Sequence, residues 1–313
     1  MLLDAPSDEE EGGSGVSNII HKPVMLQEVI SMLKLRNGST VVDATLGMGG
    51  HAAAILEKIL PNGRLIGIDK DEEALNIAKD HLSYFSDSCM FVHDDFRNLD
   101  KIIGRFDLTG VDAILFDVGV SSYQLESASR GFSIKAEGPL DMRMDRKSFI
   151  SAYDLLNNLT EEEISSILWR FGQERFSRRI ARNIVAARQR SPISSTTQLA
   201  ELVTKALPYK ARFHKIHPAT RTFQALRIAV NRELDALDEA LKKAALILKK
   251  RGRICVITFH SLEDRIVKEN FRELARTGSF QLVFKKILRP GQEELKNNPR
   301  ARSAKMRAIE RVK

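Results

Sequence analysis

Cysteine is scarce in this chain, with only Cys89 and Cys255 among 313 residues. Two cysteines far apart in sequence cannot build a disulfide framework or a zinc cluster, so we expect both to be buried packing residues in a reducing compartment. No other constellation of metal-ligand residues is visible, and we predict no resident metal. These absences favour a cytoplasmic protein whose fold depends on neither disulfides nor metal ions.

Long apolar runs are also missing. No stretch approaches the roughly 18 residues that a membrane span requires. The first residues contain five acids and no base up to residue 11, unlike a secretion signal or a mitochondrial transit peptide. The sequence therefore predicts no membrane association, and residues 1–18, acidic and then rich in Gly and Ser, are predicted to be a disordered tail.

Charge is the first positive feature of the composition. Lysine and arginine number 49 against 41 acids, for a net charge of +8 and a pI near 9.4. Because the predicted tail is acidic, the remaining chain is more basic than the total indicates. A basic surface favours a phosphate-rich partner without identifying one.

Strands and helices alternate along most of the chain. The β-branched and apolar runs that predict strands lie at 40–45, 64–68, 90–92, 111–116 and 253–259, with closing strands at 281–287 and 306–312. Helical patterns occupy 52–59, 71–81 and, as one long helix, 221–248. This alternation predicts a doubly wound α/β sheet, which binds ligands at the carboxyl ends of its parallel strands.

The alternation is interrupted between residues 130 and 217, where the patterns are helical. Thr160 and Glu163 have the spacing of a capping box, and Phe176, Ile180 and Ile184 recur every four residues on one helix face. We therefore predict one sheet domain formed by 19–129 and 218–313, with an all-helical insertion at 130–217.

A cofactor site is indicated by glycines between the first strand and the following helix. Gly47 and Gly49 allow a sharp turn and close approach to a ligand, and Asp69 ends the second strand, where an acid can accept ribose hydroxyls. NAD and S-adenosylmethionine both fit this pattern. Phe96 after the third strand and Asp117 after the fourth favour the methyl donor, and no partner for hydride transfer stands out.

With these residues in place, the chain closely resembles the RsmH (MraW) family of 16S rRNA cytosine-N4 methyltransferases. The strongest matches are DATLGMGGH at 43–51, DVGVSSYQL at 117–125, HPATRTFQALR at 217–227 and FHSLEDR at 259–265. Shorter matches lie at 21–24, 130–133, 138–145, 172–176 and 298–303. They follow the family's order from about residue 21 to the end of the chain.

The resemblance implies a Rossmann-like class I methyltransferase with S-adenosyl-L-methionine as cofactor. It implies that the cofactor is contacted by Gly49, Gly50, His51, Asp69, Phe96, Asp117 and Gln124. The implied partner is 16S rRNA, with a cytidine near the decoding centre as the target. The resemblance also implies that the helical insertion at 130–217 recognises this RNA. We expect the substrate to be the assembled small ribosomal subunit, and a homodimer is compatible with the sequence.

The chemistry requires acceptors for the hydrogens of the cytosine N4 amine, because its lone pair is delocalised into the ring. We hypothesise that Asp117, with Ser121 or Ser122, shapes this pocket. His260 follows the fifth strand and is a further catalytic candidate, although a histidine at a strand end is as often a structural hydrogen-bonding group.

A basic stripe lies in the predicted insertion. Arg175, Arg178, Arg179 and Arg182 follow i, i+3, i+4, i+7 spacing and therefore share one helix face. A solvated face is the ordinary interpretation of such a stripe, but in an RNA enzyme we interpret it as a phosphate contact.

Three other functions remain open. A DNA amino-methyltransferase typically carries Pro-Pro-aromatic after the acid of the fourth strand, whereas Val118-Gly119-Val120 follow Asp117 here. A non-catalytic ribosome-assembly factor with a degenerate methyltransferase fold would not need the glycine loop with Asp69. A dehydrogenase would bind NAD instead.

Overall fold

A computed structural model describes residues 22–212 and 216–313, so the predicted tail at 1–18 lies outside the described residues. Within them, seven strands form one sheet in the order β3-β2-β1-β4-β5-β7-β6. Strands β1 to β5 are parallel, β7 is antiparallel to β5, and β6 is antiparallel to β7. The strands are β1 (Thr40–Asp43), β2 (Arg64–Asp69), β3 (Cys89–His93), β4 (Val111–Asp117), β5 (Leu248–Thr258), β6 (Phe280–Leu282) and β7 (Lys305–Arg311). This topology confirms the predicted doubly wound, Rossmann-like α/β sheet.

Helices cover both faces of the sheet, which explains why its central strands are apolar on both sides. One face packs against α1, α2 and α3, and the other against α4, α12 and α13. Val41 and Val42 in β1, for example, are both fully buried but belong to opposite apolar clusters. The helices outside the insertion are α1 (Leu26–Leu33), α2 (Gly50–Ile59), α3 (Glu72–His81), α4 (Leu99–Gly104), α5 (Ser122–Glu126), α11 (Thr220–Asn231), α12 (Glu233–Ile247), α13 (Ser261–Arg276) and α14 (Gln292–Asn297).

A third apolar cluster holds the helices of the interval 130–217 together. They are α6 (Ala152–Asn158), α7 (Glu161–Gly172), α8 (Ser177–Arg188), α9 (Thr196–Ala206) and α10 (Tyr209–Arg212). The capping box of Thr160 and Glu163 opens α7, as the sequence predicts. Helix α11 also contributes Phe223 and Leu226 to this cluster, while the domain boundaries themselves stay a prediction.

Three predicted elements are wrong in extent. The strand expected at 253–259 is β5, which begins five residues earlier, at Leu248. The single helix expected at 221–248 is two helices, because Arg232 adopts a left-handed conformation with φ +49° between α11 and α12. The strand expected at 281–287 ends at Leu282, although the chain continues beside β7 through an isolated bridge between Leu288 and Met306.

The scarce cysteines behave as expected, since Cys89 and Cys255 are buried and unpaired. Among the described residues, no helix combines the length and apolar character needed to span a membrane.

Candidate cofactor and active site

The carboxyl ends of β1, β2 and β4 open onto a cleft of about 310 Å³. Every site residue predicted from the sequence for cofactor binding or catalysis lines this cleft, except Gly49 and His260. The predicted residues that line it are Gly50, His51, Asp69, Phe96, Asp117, Ser121, Ser122 and Gln124. Parallel strands thus bring together side chains that are more than 70 residues apart in sequence.

The glycine loop between β1 and α2 depends on two left-handed residues. Gly47 has φ +53° and Gly49 has φ +83°. A Cβ atom on Gly49 would lie 2.9 Å from Leu82 Cδ1, so a side chain there would meet both steric and backbone strain. Gly49 therefore serves the cleft by shaping the loop, although it does not itself line the cavity.

Asp69 connects the end of β2 to this loop. Its Oδ2 accepts a 2.8 Å hydrogen bond from the Gly47 amide, and its Oδ1 accepts a 2.8 Å bond from the Asp71 amide. Burial raises the pKa of Asp69 to about 6, even though these two amides favour the ionised form. Each carboxylate oxygen retains a lone pair, so the group can still accept two ribose hydroxyls.

Asp117 is the most unusual acid of the cleft. Its Oδ1 atom is buried without a hydrogen-bond partner among the described residues, and its Oδ2 atom lies 3.6 Å from His51 Nδ1. Burial, followed by the nearby charges of Asp43 and Glu263, raises the pKa of Asp117 well above its ordinary value. Buried polar atoms in proteins are nearly always bonded, so this orphaned oxygen indicates a ligand atom as its partner.

His51 lies next to Asp117 with a fixed ring orientation. Its Nε2 is 3.0 Å from the Val24 carbonyl oxygen, which can only accept a hydrogen bond. In the neutral ring the proton is therefore on Nε2, and Nδ1 presents a lone pair toward Asp117. The 3.6 Å separation of His51 Nδ1 and Asp117 Oδ2 is too long for a hydrogen bond.

A capping box shapes the rim at the start of α5. The backbone N–H of Gln124 donates a hydrogen bond to Ser121 Oγ, and the backbone N–H of Ser121 donates one to Gln124 Oε1. Gln124 Nε2 also donates a 2.6 Å bond to Asp71 Oδ2, which lies 2.7 Å from Nη1 of the buried Arg130. Ser122 is buried at the cleft. Ser121 and Gln124 are thus held in place by the hydrogen bonds that cap the start of α5.

His260 differs from the other candidates because it caps a helix. Its Nδ1 accepts from the Glu263 amide at 3.3 Å and so helps to begin α13. Its Nε2 lies 3.0 Å from Glu263 Oε1, although the geometry does not satisfy a hydrogen bond. Of His260 and Glu263, only Glu263 lines the cleft. A catalytic role for His260 stays a prediction.

Sequence reasoning assigned no role to five charged residues that line the cleft: Lys70, Arg300, Arg227, Glu233 and Glu263. The last three form one cluster. Arg227 makes two 2.9 Å hydrogen bonds to Glu233, and its Nη2 is 4.0 Å from Glu263 Oε1. Burial opposes ionisation of Glu263, but His260 and Arg227 outweigh it and lower its pKa. The motifs at 217–227 and 259–265 contain Arg227 and Glu263, whereas no local pattern signals Glu233.

Glu233, His260 and Glu263 bring three potential metal ligands within 4.8 Å of one another. The Arg227 guanidinium already supplies the positive charge between the two carboxylates. A cation at this point would be repelled by Arg227, so we interpret the cluster as an ion-pair network.

The four arginines of the predicted stripe are all exposed on or just before α8. Arg182 Nε lies 3.5 Å from Glu161 Oε1. Arg175, Arg178 and Arg179 make no ion pair with any residue that the structure describes. Arg178, Arg179 and Arg182 lie on α8, whereas Arg175 precedes the helix, so the four do not form the single helical stripe expected from the spacing. Arg175, Arg178 and Arg179 present uncompensated charges to solvent, and phosphate contact stays a prediction.

A left-handed glycine turn, an acid ending β2 and an orphaned acceptor ending β4 define a nucleoside-cofactor site on a Rossmann-like sheet, the arrangement of a class I methyltransferase. The sequence comparison makes this class more specific. The chain belongs to the MraW methylase family, whose model matches residues 18–312. Membership confirms the family suggested by the resemblance, and it confirms S-adenosylmethionine rather than NAD as the cofactor.

Two relatives illustrate the similarity. The ribosomal RNA small subunit methyltransferase H of Halothermothrix orenii is 46% identical over 307 residues, which is 93% of this chain and 98% of the relative. The protein of the same name from Brevibacillus brevis is 45% identical over the same shares.

Solved structures are more distant. An rRNA methylase from Streptococcus thermophilus superposes with a TM-score of 0.43 at 13% identity, covering 94% of this chain and 99% of that one. Aeropyrum pernix fibrillarin gives 0.39 at 11% identity, covering 88% and 67%. Both likenesses are too remote to bear on function.

Proposed function

We propose that this protein transfers a methyl group from S-adenosylmethionine to N4 of a cytidine in small-subunit (16S) ribosomal RNA, near the decoding centre. Its family and the names of its 45–46% identical relatives support rRNA methylation. The observation that carries the reaction is the orphaned Oδ1 of Asp117 inside a cleft of cofactor-binding form.

The cleft fits the methyl donor at several separate points. The glycine loop leaves backbone space beside Gly47 and Gly50, Asp69 offers acceptors for the ribose hydroxyls, and Phe96 offers an apolar wall. Phe96 is held edge-on against Phe116, with ring centroids 5.8 Å apart. Bound S-adenosylmethionine supplies an electrophilic methyl group on a sulfonium.

The acceptor amine is held by Asp117 together with Ser121 or Ser122. Oδ1 of Asp117 accepts a hydrogen of the N4 amine and turns its lone pair toward the methyl group. Methyl transfer is an in-line displacement, so this alignment provides much of the acceleration. Once the carbon–nitrogen bond has formed, the amine proton is strongly acidic, and water can remove it without a dedicated general base.

Delivery of the RNA is assigned to the helical insertion. A cytosine that is stacked or paired must be splayed out to enter the cleft. Arg175, Arg178, Arg179 and Arg182 are the proposed phosphate contacts, and they suit a folded RNA because guanidinium groups recognise its backbone more than its bases. The assembled small subunit as substrate, the cytoplasm as compartment and a homodimer stay predictions.

The deciding experiment is a methylation assay with S-adenosylmethionine on small ribosomal subunits that lack base methylation, followed by nucleoside mass spectrometry. Naked 16S rRNA and double-stranded DNA are assayed in parallel. We expect N4-methylcytidine from the subunits. Methylated DNA alone would favour the amino-methyltransferase alternative. Absence of any product together with no binding of S-adenosylhomocysteine would favour a non-catalytic assembly factor.

A further inference from the structure

Trp169 is the only tryptophan of the chain, and it lies on the surface. Its side chain on α7 is 60% exposed, although tryptophan is a residue that proteins usually bury for the most part. It lines a second cavity of about 850 Å³ between α7 and α8. No residue of this cavity lines the cofactor cleft.

Basic residues also line this second cavity. Arg175, Arg178 and Arg179 line it, all three are exposed, and none forms an ion pair within the described parts of the chain. Phe176 adds a second aromatic ring. An open cavity lined by an aromatic plane and unpaired guanidinium groups is complementary to a nucleotide, which has a flat base and an anionic phosphate.

We propose that this cavity binds one unpaired nucleotide of the RNA substrate, with its base stacked on Trp169 and its phosphate on the arginines. The inference rests on the proposed rRNA substrate and adds a second binding point to it. Stacking of an unpaired base on an aromatic ring is the common mode of single-strand recognition, and guanidinium groups bind phosphate in a bidentate manner.

Acids at one end of the cavity define the orientation of the nucleotide. Glu161 and Glu162 line that end, and Glu161 is also 3.5 Å from Arg182. Their carboxylates repel a phosphate but can accept hydrogen bonds from a base edge. By charge, the phosphate is therefore assigned to the arginines and the edge of the base to the acids.

Hydrogen bonds at the end of α7, the helix that carries Trp169, join it to residues beside the methyl-transfer cleft. Gln173, which follows α7, lies with its Oε1 3.2 Å from Ser261 Oγ, and its carbonyl accepts from Arg221. Ser261 begins α13, beside Phe259 and Glu263 of the cleft. These contacts hold the end of α7 against the cleft, so a nucleotide bound at Trp169 gives the RNA a second fixed point relative to the cleft.

The first test uses Trp169 as its own probe, since it is the sole source of tryptophan fluorescence. The full-length protein is titrated with the four nucleoside 5′-monophosphates, with a single-stranded oligoribonucleotide, and with ribose 5-phosphate as the control for phosphate alone. We expect quenching by the oligoribonucleotide and the monophosphates, little change with ribose 5-phosphate, and about tenfold weaker nucleotide binding after Arg178→Ala. Absence of quenching by every nucleotide and by the oligoribonucleotide would overturn the proposal.

The second test compares Trp169→Ala with Trp169→Phe, and uses Tyr84→Ala as a control at another exposed aromatic residue. Binding of small ribosomal subunits and methylation kinetics are measured, together with S-adenosylhomocysteine affinity as a check of folding. We expect Trp169→Ala to raise the KM for subunits about tenfold, with kcat and cofactor affinity nearly unchanged. Trp169→Phe, which keeps an aromatic ring, should have a KM close to that of the wild type. Unchanged KM in Trp169→Ala contradicts the proposal.

Failure of this inference can be distinguished from failure of the proposed function. If nucleotides quench the Trp169 fluorescence but the protein methylates no ribosomal subunit, the nucleotide site is supported and the proposed rRNA reaction is rejected. Normal N4-methylcytidine formation with Trp169→Ala at wild-type KM would retain the reaction and reject the cavity.

Discussion

Asp117 is the single side chain on which the proposed reaction depends most. We expect Asp117→Ala to lower the single-turnover rate of methyl transfer by at least about 100-fold, because the amine hydrogens lose their buried acceptor. Asp80→Ala, which removes an exposed acid from α3, is the matched control and should leave the rate unchanged. Rapid-quench measurement with subunits provides the rate, and an Asp117→Ala rate equal to wild type would remove Asp117 from the mechanism.

Asp43 makes the stability of the cofactor-free protein depend on pH. Burial raises the pKa of Asp43 to about 7, partly opposed by the Thr45 amide and assisted by the charge of Asp69. An acid with a raised pKa in the folded state binds more protons than the unfolded chain does, so its contribution to stability is present near pH 4 and is lost as the pH rises through 7. A shift of this size corresponds to about 4 kcal/mol at most.

We therefore expect Asp43→Asn to flatten this dependence. Urea unfolding of the wild type and the variant, measured without cofactor between pH 4 and 8, provides the comparison. The wild type should lose stability across this range and the variant should lose less, while a residual slope remains because burial also raises the pKa of Asp69 to about 6. Parallel curves for the two proteins would show that Asp43 is not the responsible group.

Helix α7 approaches α11 so closely that only glycine fits at its last residue. A Cβ on Gly172 would lie 2.5 Å from the Arg221 carbonyl oxygen and 3.2 Å from Ala225 Cβ. We expect Gly172→Ala to destabilise the protein by about 1–3 kcal/mol, because the helices must separate. Gly104→Ala at the end of α4 is the control, since nothing lies within 4 Å of its added Cβ and a neutral or slightly favourable effect follows. Equal unfolding midpoints in urea for the two variants would contradict this interpretation.

Sequence patterns predict well the elements that are determined by their own residues and by close neighbours in the chain. Buried β-branched runs locate β1 to β5, and the glycine turn with Asp69 and Asp117 follows directly from strand ends meeting at one edge of the sheet. The break at Arg232 is different, since the apolar pattern continues through it. It depends on tertiary bonds such as Asn231 Nδ2 to the Met142 carbonyl at 2.7 Å, which no local pattern contains.

The same distinction separates the site residues. Glu233 reaches the cleft only because α11 and α12 are joined by that unexpected turn, so its role could not be predicted from its neighbours in sequence. His260 has the position expected of it, but a sequence cannot distinguish a helix cap from a catalyst, because both uses place a histidine at a strand end.

At the scale of the whole molecule, the two proposed binding regions are separate. The cofactor cleft lies at the carboxyl edge of the sheet, and the uncompensated arginines lie on the helices held together by the third apolar cluster. Because the buried contacts of α7 with α11 connect the two parts, RNA bound to the helices can be presented to the cleft in a fixed position.

Salt dependence of RNA binding tests this division of tasks. Each phosphate neutralised by a cation contributes about 0.7 (single strand) to 0.9 (duplex) to the slope of log affinity against log salt concentration. Replacing Arg175, Arg178 and Arg179 together by alanine should therefore weaken binding to small subunits and reduce the magnitude of the slope by about 2 to 3. A matched triple variant removes Lys58, Lys249 and Lys250, which are exposed near the opposite, amino-terminal edge of the sheet.

The two triple variants carry the same change in net charge, so a general electrostatic effect would alter both slopes equally. A loss of slope confined to the arginine variant, with S-adenosylhomocysteine affinity retained, is the expected outcome, because only cations in contact with phosphate release condensed counterions. An unchanged slope in the arginine variant would mean that these residues form an ordinary solvated face. RNA would then have to be held by other basic groups, and the helical insertion would lose its proposed role in phosphate binding.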